Sequence, residues 1–158
     1  MTYRAVRITG VAQWASQAPT HNSPMPDLSL VIDSYRRCVA RADFIDRFYI
    51  HLFEASPDIR EKFRDTDLEQ QRTMIRKAIT TIIMQSAGIQ AANLSLDRIA
   101  ATHGKEGMNI TPDMYQLWID TMVRTVRECD SQCDHRVAET WRVVLSQGIG
   151  YLSRRGQG

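Results

Sequence analysis

Residues 48–63 read FYIHLFEASPDIREKF. Phe48, Tyr49, Leu52 and Phe53 recur three and four positions apart, the period of a helix rather than the alternation of a strand. Pro57 suits the first turn of a new helix, where its missing N–H removes no intrahelical bond. The stretch therefore predicts one helix from Asp43 to Glu54, with Asp43 as its N-cap, and a short helix opening at Pro57.

Working outward, the same spacing holds from Asp27 onward, and no Asn-Gly or Asp-Gly hairpin turn occurs. The reading is all-α. A first helix is expected over Leu28 to Arg41, carried by Val31, Tyr35, Cys38 and Val39. Asp67 is expected to cap a long helix reaching Ser86, with the stripe Leu68, Ile75, Ile79, Ile82 and Ile83, and Gly88 to end it. The alternating acids Asp65, Asp67 and Glu69 lack the glycine and final glutamate of an EF-hand, so they read as helix capping. A shorter helix is expected from Ser95 to His103, stopped by Gly104 and Gly107. NITPD (109–113) opens another with Thr111 as N-cap and Pro112 at its first position, running to about Glu128. A last helix, from Asp134 to Arg154, carries Val137, Trp141, Val144, Leu145 and Ile149.

The chain has 158 residues, and its 20 Lys plus Arg against 18 Asp plus Glu leave a formal charge of +2. One domain of this length buries roughly 68% of its unfolded surface, so it needs no disulfide or metal staple to fold. Near-balanced, dispersed charge argues against nucleic acid as a partner. Three cysteines, Cys38, Cys129 and Cys133, are an odd count without CxxC spacing, which fits a reducing, cytoplasmic setting and unpaired thiols. No run approaches the ~18 apolar residues of a membrane span, and MTYRAVRITGVAQW (1–14) does not read as a signal peptide. Residues 1–26, with three of the five prolines in SQAPTHNSPMP (16–26), read as a flexible N-terminal extension before a domain over 27–158. Met25, just before that boundary, offers an alternative start that N-terminal sequencing of the native protein decides.

Among side chains able to do chemistry, no GxSxG elbow, no Cys beside a His and no glycine-rich phosphate loop occurs. No two histidines have zinc-ligand spacing. His21, His51 and His135 fall in the extension, on an exposed helix face and in a polar turn. His103 ends a helix one turn after Ile99. Alone it reads as a histidine at a helix C-terminus, where positive charge is favourable.

The joint arrangement goes further. With Phe48, Tyr49, Leu52, Phe53, Pro57, Arg60 and Phe63 in register, residues 48–63 resemble the second-to-third-helix segment of bacterial globins of the single-domain and flavohaemoglobin type. TDLEQQRTMI (66–75) resembles the start of their distal helix, where a glutamine or histidine stands one turn before an aliphatic residue. Gln71 with Ile75 and Gln70 with Met74 both satisfy that spacing; the family's Asp four residues earlier favours Asp67 with Gln71. RIAATHGKEGMNI (98–110) resembles the segment that supplies the proximal histidine, here His103. The resemblance spans about Asp27 to Tyr151 and implies a globin fold, a three-over-three helical sandwich with a short or absent D helix.

It also implies haem b as cofactor, ligated through iron by His103. Phe63 would pack on the porphyrin, and Ile75, Ile79, Ile99 and Met122 would form apolar walls. Tyr49 and Gln71 would donate hydrogen bonds to dioxygen or another diatomic gas, which becomes partly anionic on binding. Arg72, Arg76, Lys77 and Arg98 are equally suited to meet the propionates. The implied function is reversible gas binding by a monomer or homodimer. The alternatives are a nitric oxide dioxygenase served by an external reductase and a gas-sensing globin that signals to a partner protein. Two departures weaken the dioxygenase expectation: Tyr115 lies two residues beyond the tyrosine position of that family, and SRRGQG (153–158) brings no carboxylate where its late glutamate stands. An anionic partner would otherwise make the histidine a stronger donor to iron.

Overall fold

The computed structural model describes residues 25–103 and 109–156, the side chain of His103 excepted. Seven helices follow one another: α1 (Leu28–Val39), α2 (Phe44–Ala55), α3 (Pro57–Lys62), α4 (Leu68–Ser86), α5 (Ala91–His103), α6 (Pro112–Cys129) and α7 (His135–Gly156). Among the described residues there is no strand. A layer of α1, α4 and α5 packs on a layer of α2, α6 and α7, through contacts of α4, α5 and α1 with α7 and of α1 with α6. The link from α3 to α4 holds no helix of its own. All but two of the expected N-terminal extension residues lie outside the described residues.

Local chemistry accounts for most boundaries. Asp67 caps α4 by accepting from the Glu69 and Gln70 amides. Ser56 does the same for α3 ahead of Pro57, and Thr111 for α6 ahead of Pro112. Gly88, at φ +80°, ends α4: its amide donates to the Gln85 carbonyl and the Ile89 amide to Met84, the paired closure that a left-handed residue after a helix permits.

Four expectations are corrected. α1 stops at Val39 rather than Arg41, because Arg41 turns to pair with Asp43 at 3.1 Å. Asp43 precedes α2 but makes no side-chain cap, since Arg41 and Arg47 both take its carboxylate and hold it well below the usual carboxylate range. α5 begins at Ala91, not Ser95; the strong helix formers Ala91 and Ala92 follow directly from a tight turn in which the Ala92 amide donates to the Ile89 carbonyl. His51 is no surface residue: its side chain is 13% exposed and its Nε2 lies 2.6 Å from Glu128, because α2 packs along α6 and places residue 51 against the last turn of that helix.

The core runs through all seven helices, with Phe44, Phe48, Leu52, Ile79, Leu96, Met122, Trp141 and Leu145 almost wholly buried. Tyr35 meets Phe44 and Trp141 edge-on, and Phe48 meets Trp118 likewise, so α1, α2, α6 and α7 share one aromatic layer. One polar network crosses this core. The Trp141 indole donates to Ser34 at 2.9 Å, Ser34 donates to Asp130 at 2.6 Å, and Arg37 grips the same carboxylate at 2.6 and 3.0 Å. Burial raises the Asp130 pKa, but the bonds from Arg37, Ser34 and the Gln132 amide outweigh it and leave the group below its ordinary value. The three cysteines are free thiols; burial pushes Cys38 up to about 12, so it stays protonated.

Where α7 crosses α4 the helices touch through a glycine. A Cβ on Gly148 would come within 2.7 Å of both γ-carbons of Ile82. Ile82 branches at Cβ, itself 3.1 Å away, so no single rotamer clears the clash. Gly148→Ala is expected to lower stability by about 1–3 kcal/mol, the usual range for overpacking. Urea unfolding of the two proteins measures it; equal midpoints would mean that the helices separate at no cost.

Candidate functional site

Between the two layers opens a cleft of about 900 Å³, counted to the solvent at its mouth. Its lining is apolar: Leu52, Ile59 and Phe63 on one side, Ile75, Ala78 and Ile82 from α4, Ile99 from α5, and Met114, Trp118, Ile149 and Leu152 from the last two helices. Among the described residues, Tyr49, Lys62, Gln71 and Tyr115 bring polar groups to it, as does the Trp118 indole.

Tyr49 is held from three sides by aromatic rings, with centroids 5.2 Å from Phe48, 5.7 Å from Phe53 and 5.9 Å from Phe63. It is 8% exposed, and its hydroxyl takes no hydrogen-bond partner among the described residues. Burial alone pushes its pKa well up, so the phenol stays neutral and keeps its proton to donate. An unmet hydroxyl on an apolar wall costs free energy unless a ligand or water meets it.

Phe63 caps α3, its amide donating to the Arg60 and Glu61 carbonyls, and its ring lies 5.6 Å from Phe53. The cap fixes the ring at the cleft wall just before α4 begins. Gln71, on the second turn of α4, also lines the cleft; its amide reaches only the Met74 sulfur, at 3.9 Å. Thioether sulfur is a weak acceptor, so the amide retains its capacity to donate. Gln70 is exposed and lies off the lining. Met74 lines the mouth, half in solvent.

Ile75 and Ile99 line the cleft, while Ile79 and Met122 do not. The helical period explains the correction. With 100° per residue, Gln71, Ile75, Ala78 and Ile82 fall within about 60° of one another on α4, whereas Ile79 turns past that arc into the core. Met122 lies one turn beyond Trp118 on α6 and is wholly buried beneath the cleft. Ile82 takes the place expected of Ile79. His103 is the last residue of α5, one turn beyond Ile99, and its side chain lies outside the described residues.

Several wall residues carried no signal at the level of sequence. Trp118, Met114, Ile149 and Leu152 are ordinary apolar positions at helical spacing, and only the crossing of α6 and α7 selects them. Among the described residues Lys62, next in sequence to Phe63, is the basic residue that lines the cleft. None of the four basic residues expected at the propionates lines it, and Arg72 pairs with Asp46 at 2.6 Å. Tyr115, despite its shifted position, is buried on the wall, and burial raises its pKa. No helix among the described residues is long and apolar enough to cross a membrane.

The cleft is thus an apolar slot between two layers of helices, with tyrosine, glutamine and lysine side chains among its described lining residues. Residues 46–151 match the globin family, and the chain belongs to it. A solved structure similar to it is that of a protein from Pseudomonas aeruginosa PAO1, described as structurally highly homologous to a human haemoglobin. The two share 33% identity over 83% of this chain and 98% of the other, with a TM-score of 0.79. No curated protein matches the chain.

Proposed function

We propose that the cleft holds haem b and that the chain reversibly binds a diatomic gas, dioxygen or nitric oxide, beside Tyr49 and Gln71. The observation that carries this reading is the buried Tyr49 phenol, neutral and unpartnered on the wall of an apolar cleft. The donor set fits the group. Apolar side chains suit the macrocycle, Lys62 suits its carboxylates, and His103 at the end of α5 is the residue we assign to the iron. Haem, when bound, supplies a metal that takes one nitrogen ligand from the protein and one gas molecule.

The protein's own residues do the rest. Phe63 and Ile75 exclude water from the inner cleft, which strengthens any hydrogen bond made there. Tyr49 donates its hydroxyl proton toward the partial negative charge of the gas, and Gln71 donates an amide proton beside it. A donor pair of this kind favours slow release, and so a scavenger or sensor over a carrier.

Absorption spectra of the purified protein with haem, in ferric, dithionite-reduced and oxygenated forms, test the reading alongside a His103→Ala variant. A Soret band and a stable oxygenated spectrum are expected for the wild type, lost or displaced in the variant. Failure of the wild type to take up haem in a one-to-one ratio would sink the proposal.

A further inference from the structure

We propose that Asp97, Tyr151 and Arg155 form a latch between α5 and α7 that sets the rotation of α5 about its own axis, so that these three are positioning residues for His103. The proposal's link to iron rests on the haem reading above; the latch itself does not.

The Tyr151 hydroxyl donates to Asp97 Oδ1 at 2.7 Å. Arg155, one turn further along α7, places Nε 3.4 Å from that same oxygen and its guanidinium carbon 5.4 Å from the centre of the Tyr151 ring. A hydroxyl donor and a cation from one helix thus converge on one carboxylate oxygen of the other. The Arg155–Asp97 pair is largely exposed and contributes little alone. The phenol-to-carboxylate bond is partly buried and charge-assisted, and is the stronger member.

α5 packs along both α4 and α7, with Ile99 also set against the core, but its fully buried side chains are small. The buried face of α5 is Ala92, Leu96 and Ala100. Two methyl groups and one leucine offer few knobs to resist a turn of the helix about its axis. At the N-terminal end the Gln85 amide donates to Asn93 at 3.2 Å, tying α5 to α4. Asp97 adds the tie to α7 one turn later, six residues before His103. Rotation matters there: atoms about 6 Å from the axis move about 2 Å in a 20° turn. A ligand group must be held to about 0.5 Å. The same turn sweeps Ile99 along the cleft wall.

Tyr151→Phe tests the latch while keeping the ring beneath Arg155. Hydrogen exchange of the full chain without added haem is expected to quicken about 10-fold over residues 91–103 while α1 and α6 hold their rates. Asp97→Asn, which keeps an acceptor but no charge, should fall between the two. Unchanged exchange in Tyr151→Phe overturns the latch. In the haem-loaded, reduced protein, the iron–histidine stretching frequency in resonance Raman spectra should shift, and haem should transfer severalfold faster to a scavenging apoprotein. Faster exchange with an unmoved stretching frequency overturns the positioning role. Absence of haem uptake by the wild type overturns the functional reading instead, and the exchange experiment still decides the latch.

Discussion

Replacing Tyr49 by Phe is expected to raise the rate of dioxygen release about 10- to 150-fold, measured by stopped-flow mixing of the oxygenated protein with carbon monoxide. The range follows from a hydrogen bond to a charged partner, about 1.5–3 kcal/mol, and from tenfold per 1.4 kcal/mol. Folding stability should hold. The contacts to Phe48, Phe53 and Phe63 are made by the ring, which the variant keeps, and the deleted hydroxyl bonds to none of the described residues. A purely structural tyrosine would give the opposite pattern, with stability lost and release unchanged. Gln71→Leu should move release in the same direction by less, since its amide sits on a less buried side chain near the mouth.

A loss of stability is expected from Asp130→Ala. This carboxylate is 1% exposed and receives four donor groups: Nε and Nη2 of Arg37, Ser34 Oγ and the Gln132 amide. Its removal leaves Ser34, itself wholly buried, without an acceptor and releases the end of the chain of bonds that holds Trp141. Arg37 is partly exposed and can turn to water, so the cost is that of leaving buried hydrogen-bonding groups without their acceptor, about 1–3 kcal/mol. For a chain of this size each kcal/mol is roughly 2–4 °C in melting temperature, read by calorimetry or by circular dichroism on heating. A loss below about 1 kcal/mol would show that water repairs the gap.

The pH dependence has a definite sign. The Asp130 pKa is lower folded than the ordinary carboxylate value, about 3.9 when unfolded. Its contribution is therefore complete above pH 4 and is lost as the pH falls through the folded value. Asp43 and Glu128, lowered by hydrogen bonds from Arg41 and Arg47 and from His51 and Arg47, act in the same direction. Acid titration of Asp130→Asn should show a shallower fall in stability than the wild type below pH 4.

By itself the sequence determined the elements and the general character of the site. Ser56 with Pro57, Asp67, Gly88, and Thr111 with Pro112 act on backbone groups within a few residues, so their chemistry is legible without a fold. The resemblance carried by Phe48 to Phe63 implies that Tyr49 and Phe63 share one site, and their rings lie 5.9 Å apart. Tertiary structure alone decided everything that depends on two distant segments meeting. Ile79 and Ile82 share one apolar stripe and are both buried; the packing of α4 against its neighbours decides which arc of that stripe, Ile82 included, borders the cleft. Gln70 and Gln71 have equal chemistry; the resemblance favours Gln71 through Asp67, and the rotation of α4 is what brings Gln71 to the cleft wall. Asp130 pairs with residues more than ninety positions away, His51 with Glu128, and Asp97 with Tyr151. The physical reason is common to all these cases: a charge or hydroxyl acquires its role from partners and burial, which helix packing supplies and local sequence does not carry.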